Sequence, residues 1–217
     1  MMLSMKKNSI FNILVVLFVF GAVTNANAEK AVLAGGCFWC VETPYDDLEG
    51  VKSSVSGYTG GKMANPTYRQ VVSGQTEHIE SVQLDFDPSK ISYVDLLKIY
   101  ILNINPTDSK GQFADRGANY RPAVFYVNEI QKKITEKFFA LLNEAKIFEK
   151  AIGVEILPFK VFYNAEDYHQ NYHKKNPTKY KLYRFRSGRA SYLEKVWTDA
   201  NKAQLEKIIK ELKNEFL

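Results

Sequence analysis

Segments with a two-residue alternation or an unbroken apolar run predict five strands. In residues 81–86, Val82, Leu84 and Phe86 alternate with polar residues, which is the pattern of a half-buried strand. The other four strands are predicted at residues 30–34, 51–58, 123–127 and 154–163. Pro158 lies in the last segment, which is therefore predicted to be an edge or bulged strand, because proline cannot donate a ladder hydrogen bond.

Apolar residues at helical spacing predict four helices. Ser92 is suited to cap a helix that continues to about Leu102 and carries its apolar residues on one face. The other helices are predicted at residues 38–48, at residues 129–148, and from about Ser191 to the C-terminus. Strands and helices alternate without an internal repeat or a linker. This order predicts a single α+β domain over residues 29–217, with a mixed sheet flanked by helices.

Composition and charge exclude several classes of protein. The chain is 46% hydrophobic and 24% charged, with 12 Gly and 7 Pro, which excludes collagenous, coiled-coil and disordered proteins. Its net charge is +5, and since Lys6 and Lys7 are the only charged residues before Ala28, the rest of the chain carries +3. Such a small excess argues against nucleic acid or an anionic membrane surface as a partner.

The first 28 residues have the layout of a secretory signal peptide. Lys6-Lys7 precedes an apolar run at residues 10–23, and Ala26-Asn27-Ala28 forms a small-x-small site with cleavage expected after Ala28. The protein is therefore expected to be exported to the periplasm or another extracytoplasmic space. The alternative is an uncleaved membrane anchor, but the apolar run is shorter than the roughly 20 residues that a spanning helix needs.

The two cysteines of the chain, Cys37 and Cys40, are separated by only two residues. A bridge across so short a loop removes little entropy from the unfolded chain, so a purely stabilising disulfide is disfavoured. Gly36 ends a predicted strand and places Cys37 at or beside a helix N-terminus, where the dipole and unpaired N–H groups favour the thiolate. Gly36 also leaves the sulfur open to a substrate, and Phe38 and Trp39 can form an apolar wall beside it.

Other interpretations of the cysteine pair stay open at this point. A zinc site would need further soft ligands, and the remaining candidates are only His78, His169 and His173. A thioredoxin-type disulfide exchanger would share the reactive thiolate and the paired cysteine. A non-catalytic peptide-binding module would use the aromatic residues alone, and its binding would survive Cys37→Ser.

Six motifs decide between these interpretations because they occur together and in order. They are Gly35-Gly36-Cys37-Phe38-Trp39, Gly57-Tyr58-Thr59-Gly60-Gly61, Asn65-Pro66-Thr67-Tyr68, His78-Ile79-Glu80, Asp115-Arg116-Gly117-Ala118-Asn119-Tyr120-Arg121 and Tyr168-His169-Gln170. With this set the chain resembles peptide methionine sulfoxide reductase A over nearly all of residues 29–217. The resemblance implies a two-layer, ferredoxin-like α+β fold.

The resemblance also implies an activity, namely thiol-dependent reduction of the S epimer of methionine sulfoxide, free or in proteins. It implies that Cys37 is the nucleophile, Glu80 the acid that protonates the sulfoxide oxygen, and Tyr68 and Tyr120 hydrogen-bond donors to that oxygen. Asp115 belongs to the same polar network, and Phe38, Trp39 and Gly36 line the site of the substrate's methyl group. Glu80 can act as an acid only where an apolar, buried site raises its pKa.

The chain departs from the commonest pattern of that family at three positions. Cys40 stands where glycine is usual, and no cysteine follows it, so Cys40 is the expected resolving residue that condenses with a Cys37 sulfenic acid. Glu77 also replaces a usual glycine, and Ile79 a usual alanine. A carboxylate at Glu77 either raises the proton affinity of Glu80 or only faces solvent. The role of His169 in its motif is expected to be structural.

The implied reaction requires no metal and no organic cofactor. It does require an external thiol reductant for the Cys37-Cys40 disulfide, which for an exported enzyme is expected to be a thioredoxin-like protein on the same side of the membrane. The expected substrates are oxidised exported proteins or peptides that contain methionine sulfoxide. The protein is expected to be a monomer.

Overall fold

The computed structural model describes residues 28–217, so the signal peptide expected over residues 1–28 lies outside the described residues except for Ala28. The strands of the described part are β1 (Glu29–Ala34), β2 (Val51–Thr59), β3 (Ile79–Phe86), β4 (Gly111–Gln112), β5 (Asp115–Arg116), β6 (Ala123–Tyr126), β7 (Glu155–Pro158) and β8 (Tyr163–Asn164). The helices are α1 (Phe38–Glu42), α2 (Tyr68–Val72), α3 (Tyr93–Ile101), α4 (Glu129–Glu144), α5 (Tyr172–Lys175), α6 (Pro177–Arg186), α7 (Arg189–Val196) and α8 (Asp199–Phe216). A 3-10 turn covers Ala118–Tyr120.

Six of these strands form one mixed sheet in the order β7-β6-β1-β3-β2-β8, and β4 and β5 form a separate hairpin. The strand β1 is antiparallel to both β3 and β6, β2 is antiparallel to β3 and β8, and only β6 and β7 are parallel. The central order β6-β1-β3-β2, with helices after β1 and β3, is that of a ferredoxin-like βαββαβ unit. The predicted α+β domain with a mixed sheet is confirmed.

Apolar side chains cover both faces of the sheet, because the central strand β1 is apolar on both, and the larger part of the core lies on one of them. Ala31 and Leu33 face the larger cluster, which α3, α4 and α8 cover. Val32 and Ala34 face a smaller cluster on the other side. The helix α8 buries one apolar stripe, made of Leu205, Ile208, Ile209 and Leu212. This arrangement holds the C-terminal end of β1, where the cysteine motif begins, inside the domain.

Local sequence signals explain the ends of several helices. Ser92 caps α3 and forms a reciprocal capping box with Asp95, as the sequence predicts. The helix predicted to reach residue 48 ends at Glu42 instead, because Pro44 has no N–H to continue it. The helix predicted at residues 129–148 ends at Glu144, and Lys146 has left-handed backbone with φ 53.

Two further predictions of secondary structure are wrong. The single helix predicted from about Ser191 is two helices, α7 and α8, since the chain turns at Trp197 and Thr198 caps the second one through the N–H of Asn201. The strand predicted at residues 154–163 is also two elements. Its first part stops at Pro158 at one edge of the sheet, and its second part, β8, pairs with β2 at the opposite edge.

Among residues 28–217, no helix is both long enough and apolar enough to cross a bilayer.

Candidate active site

Cys37 lies at the turn between β1 and α1, where it is the N-cap residue of that five-residue helix. Gly36 precedes it with φ +86, a left-handed backbone that glycine adopts without strain. A Cβ at Gly36 would lie 2.6 Å from the Cβ of Gln112 and 3.1 Å from a guanidinium nitrogen of Arg189. The glycine is therefore required for close packing behind the cysteine. The predicted reason was different, namely that Gly36 leaves the sulfur open to a substrate.

The two thiols are free, buried and hydrogen-bonded to each other. Burial raises the pKa of Cys37 well above its usual value, and the charges of Glu80 and Cys40 act in the same direction. A hydrogen bond from Cys37 lowers the pKa of Cys40 to about 6, and the positive charges of Arg189 and Arg184 contribute to that shift. The interaction between the two thiols thus favours the proton on Cys37 and negative charge on Cys40. Burial thus opposes the Cys37 thiolate that the helix N-terminus is expected to favour, and that thiolate stays a prediction.

Glu80 lies on β3, directly opposite Tyr58 of β2, and is 1% exposed. Its Oε2 accepts a hydrogen bond of 3.1 Å from the N–H of Phe38, which places the carboxyl beside the first turn of α1. Burial raises the pKa of Glu80 to about 8, and the charges of Asp115 and Cys40 add to this effect. The carboxyl is thus protonated near neutral pH. This is the state that the predicted role of Glu80 as an acid requires.

Tyr68 and Tyr120 form a pair of phenols next to this carboxyl. The hydroxyl of Tyr120 hydrogen-bonds that of Tyr68, and the charges of Glu80 and Cys37 act on both. Burial raises the pKa of Tyr68 to about 12 and that of Tyr120 further, so both phenols keep their protons. They are therefore available as hydrogen-bond donors.

Glu166 fixes the backbone of Tyr68 at the start of α2. One of its carboxylate oxygens accepts the N–H of Tyr68 at 2.9 Å, and the other accepts the hydroxyl of Tyr58 at 2.7 Å. The pKa of Glu166 is lowered by these two hydrogen bonds, which outweigh its partial burial. A charged carboxylate thus orients the helix that carries one of the two phenols.

Aromatic rings form one wall of the site. Phe38 is buried and packs against Tyr68, Tyr58 and His169, with ring centroids 6.4, 6.1 and 4.9 Å away. The half-buried Trp39 donates its indole N–H to Nδ1 of His169 at 3.2 Å. His169 is thus a positioning residue for the wall, in agreement with its predicted structural role. Burial lowers its pKa, which keeps the imidazole neutral.

Asp115 lies on the hairpin β4-β5 and accepts a hydrogen bond from the hydroxyl of Tyr183. Burial raises the pKa of Asp115, and this hydrogen bond opposes the shift. The hydroxyl of Tyr183 also interacts with the thiol of Cys37, where it lowers the pKa of that thiol. The phenol of Tyr183 therefore connects the predicted Asp115 to the predicted nucleophile.

The predicted catalytic residues Cys37, Cys40, Glu80, Tyr68, Tyr120 and Asp115 are thus brought together in one site. Sequence reasoning missed the residues of the site that follow residue 160, apart from the Tyr168-His169-Gln170 motif. They are Glu166, Tyr172, Tyr183, Arg184 and Arg189. No local pattern singles them out, since each is one of many tyrosines or charged residues in a helix-rich segment.

The departures at Glu77 and Ile79 have simple structural accounts. Glu77 is exposed, has φ 58 and lies 3.8 Å from Lys62, so its carboxylate faces solvent. The left-handed backbone there is one that glycine adopts more readily. Ile79 is fully buried in the smaller core cluster beside Phe125. Neither residue belongs to the polar network around Glu80.

Among residues 28–217, one group of side chains has ligand atoms that converge closely enough to hold a metal ion. It consists of Glu42, Asp46 and His173 and contains neither cysteine. The cysteine site itself combines a dithiol, a protonated carboxyl and two phenol donors. Such a set is suited to attack by sulfur on a polar centre whose oxygen gains negative charge.

Comparison with known proteins agrees with the motifs. The family model for peptide methionine sulfoxide reductase matches residues 29–201. The chain is 50% identical over 173 residues to peptide methionine sulfoxide reductase MsrA 2 of Staphylococcus aureus (strain MW2), covering 80% of this chain and 98% of that protein. It is 47% identical over 174 residues to MsrA/MsrB of Vibrio cholerae, of which it spans 46%, less than half the length.

A solved structure is also similar to this fold. Methionine sulfoxide reductase A of Corynebacterium diphtheriae superposes with a TM-score of 0.62 at 30% identity, covering 71% of this chain and 77% of that one.

Proposed function

The chain belongs to the peptide methionine sulfoxide reductase family, and from that premise we propose how its own residues perform the reaction. The enzyme is a peptide-methionine (S)-S-oxide reductase, which returns the S epimer of methionine sulfoxide to methionine. The observation that carries the mechanism is the protonated carboxyl of Glu80 beside the dithiol, held by the N–H of Phe38.

In the first step, Cys40 takes the proton of Cys37 through their hydrogen bond, and the Cys37 thiolate attacks the sulfoxide sulfur. Glu80 gives its proton to the sulfoxide oxygen while Tyr68 and Tyr120 donate hydrogen bonds to it. The attack forms an S–S bond between Cys37 and the substrate sulfur. The hydroxyl group then passes to Cys37, so that this S–S bond and the S–O bond of the substrate break as an S–O bond to Cys37 forms. The products are methionine, a Cys37 sulfenic acid and the Glu80 carboxylate.

In the second step, the thiol of Cys40 condenses with the sulfenic acid. The S–O bond of Cys37 breaks, the S–S bond to Cys40 forms, and water leaves with the thiol proton. Two electrons have then passed from the dithiol to the sulfoxide. Glu80 recovers its proton from solvent. No metal or organic cofactor takes part in either step.

A thioredoxin-like protein returns the disulfide to the dithiol by thiol–disulfide exchange. The N-terminal pattern of residues 1–28 supports export, with Glu29 as the first residue of the mature protein. The enzyme then acts as a monomer that repairs oxidised exported proteins or peptides. N-terminal sequencing of the protein from the producing cell tests this part, and a start at Met1 would contradict it.

The test of the mechanism is single-turnover reduction of a peptide carrying resolved S or R methionine sulfoxide by the pre-reduced protein without external reductant. We expect loss of one equivalent of the S epimer, no loss of the R epimer, and a Cys37-Cys40 disulfide. If the folded, fully reduced protein consumes neither epimer, disulfide exchange becomes the better explanation of the cysteine pair.

Two cysteine variants separate the roles of the thiols. Cys37→Ser should abolish reduction. Cys40→Ser should still complete one round, more slowly because Cys40 no longer takes the Cys37 proton, and should stop at the sulfenic acid, which a sulfenic-acid probe detects. Equal loss of the first round in both variants would contradict separate nucleophilic and resolving roles.

A further inference from the structure

Glu42, Asp46 and His173 converge on the far end of the helix that begins at the cysteine motif. Glu42 is the last residue of α1, Asp46 lies in the turn that follows, and His173 lies on α5. One ligand atom from each residue lies within 4.8 Å of the other two. His173, which lies more than 120 positions after Glu42 and Asp46 in the sequence, thus forms one small polar cluster with them.

One carboxylate oxygen of Glu42 and one of Asp46 are buried without a hydrogen-bond donor. Glu42 is 0% exposed, and its Oε1 has no hydrogen-bond partner among the described residues. The side chain of Asp46 is 5% exposed, and its Oδ2 likewise has none. The nearest cationic groups to that Oδ2 are Nε2 of His173 at 3.5 Å and Nζ of Lys174 at 3.8 Å. Unpaired carboxylate oxygens at this depth are costly, because burial removes the water that would solvate them.

We propose that Glu42, Asp46 and His173 form a binding site for one divalent transition-metal ion. Two carboxylate oxygens and an imidazole nitrogen suit Zn²⁺ or Co²⁺, whereas Mg²⁺ and Ca²⁺ prefer oxygen-only ligand sets. Bonds of about 2.0–2.2 Å to a tetrahedral zinc ion place its ligand atoms roughly 3.3–3.6 Å apart. The 3.5 Å between His173 Nε2 and Asp46 Oδ2 already matches this spacing.

The proposed ion would join the cysteine helix to the segment that supports the aromatic wall. The N–H of Asn171 donates to Oε2 of Glu42 at 3.1 Å, and the ring of Tyr172 stacks on Trp39. The ion would lock these contacts and stabilise the fold. It takes no part in the sulfoxide chemistry, so this proposal is independent of the proposed function.

One neighbouring charge opposes the ion. Lys174 lies near Asp46 but also pairs with Asp47 at 2.9 Å, and its side chain is 44% exposed, so it can turn away. Lys174→Gln should therefore tighten binding of the metal ion severalfold. It removes a positive charge from the site and leaves the three ligand residues unchanged.

The test measures binding of Zn²⁺ by calorimetry and of Co²⁺ by visible absorption to the purified, untagged full chain. Both cysteines are replaced by serine so that thiolates cannot bind the metal. We expect one ion per chain, a higher melting temperature with Zn²⁺, and a Co²⁺ spectrum of nitrogen and oxygen ligands. His173→Gln, Asp46→Asn and Glu42→Gln should each weaken binding by at least about tenfold.

Glu49→Gln is the matched control, because it removes one negative charge in the same turn at a side chain that is 88% exposed. Circular dichroism checks that each variant is folded, and His173→Gln keeps the test valid if the buried Glu42→Gln fails that check. Absence of a bound ion, or wild-type affinity in any folded ligand variant, would overturn the proposal.

Discussion

The indole of Trp39 lies flat against the phenol ring of Tyr172, with ring centroids 3.6 Å apart and an angle of 5° between the planes. Trp39 comes directly after the first residue of α1, whereas Tyr172 begins α5. The stack and the hydrogen bond from Trp39 to His169 hold the indole in one orientation. The geometry of the wall beside Cys37 therefore depends on a residue far along the chain.

Tyr172→Ala should weaken substrate binding more than it slows the chemistry. An aromatic pair contributes about 0.5–1.5 kcal/mol beyond its buried area, so loss of the stack should raise KM by roughly 2–10-fold while kcat changes little. Steady-state kinetics with dithiothreitol as reductant measure both constants. Tyr172→Phe keeps the ring and should behave as the wild type, and an unchanged KM in Tyr172→Ala would show that the stack does not orient Trp39.

Glu80→Gln should lower the single-turnover rate by about 10²–10⁴-fold, because the amide cannot give a proton to the sulfoxide oxygen. The wild-type rate should fall as the pH rises through about 8, since the acid form of Glu80 is then lost. The variant should lack this decline. Glu77→Gln is the control, because its carboxylate faces solvent, and it should keep both the rate and the pH profile.

Glu80 should also make the fold less stable at alkaline pH. Its pKa is about 8 in the folded protein against 4.5 as the ordinary value, so the folded state binds the proton more tightly. The contribution of this group is full below about pH 4.5 and is lost as the pH rises to about 8, at up to about 1.4 kcal/mol per pH unit.

Urea unfolding of the wild type and Glu80→Gln between pH 5 and about 9 measures this effect. The difference in unfolding free energy should shift in favour of the variant as the pH rises. A constant difference over this range would show that Glu80 is ionised in the folded protein at all these pH values.

Arg189→Met should destabilise the fold and raise the pKa of Cys40. The buried guanidinium donates to the carbonyl of Gly35 at 3.0 Å and to that of Asn103, so its loss leaves two buried acceptors unpaired. We expect a loss of roughly 3–5 kcal/mol in unfolding free energy. The positive charge of Arg189 also lowers the pKa of Cys40, so alkylation of that thiol should require higher pH in the variant.

Urea unfolding and pH-dependent alkylation in a Cys37→Ser background measure these two effects. Arg186→Met removes an exposed arginine from the neighbouring helix and should change neither. Stability within about 0.5 kcal/mol of the wild type would contradict a supporting role for Arg189.

Much of the fold follows from local pattern. The alternation of Val82, Leu84 and Phe86 predicts β3, and Ser92 predicts the start of α3, because pleating and capping depend on residues next to one another. The prediction fails at residues 154–163, where Pro158 ends one edge strand and the rest of the segment crosses to the opposite edge. Local pattern predicts that a strand forms but not which strand it pairs with.

The cysteine motif and the other ordered motifs can be recognised in the sequence, so the family, the reaction and most of the site residues can be predicted from it. The protonation states of the site cannot be predicted in this way. The raised pKa of Glu80 arises from burial. The opposite pKa shifts of Cys37 and Cys40 arise from burial, from the hydrogen bond between the two thiols and from the charges of Arg189 and Arg184. These arginines lie more than 140 positions from the cysteines, and only folding removes water from the carboxyl and brings those charges to the thiols.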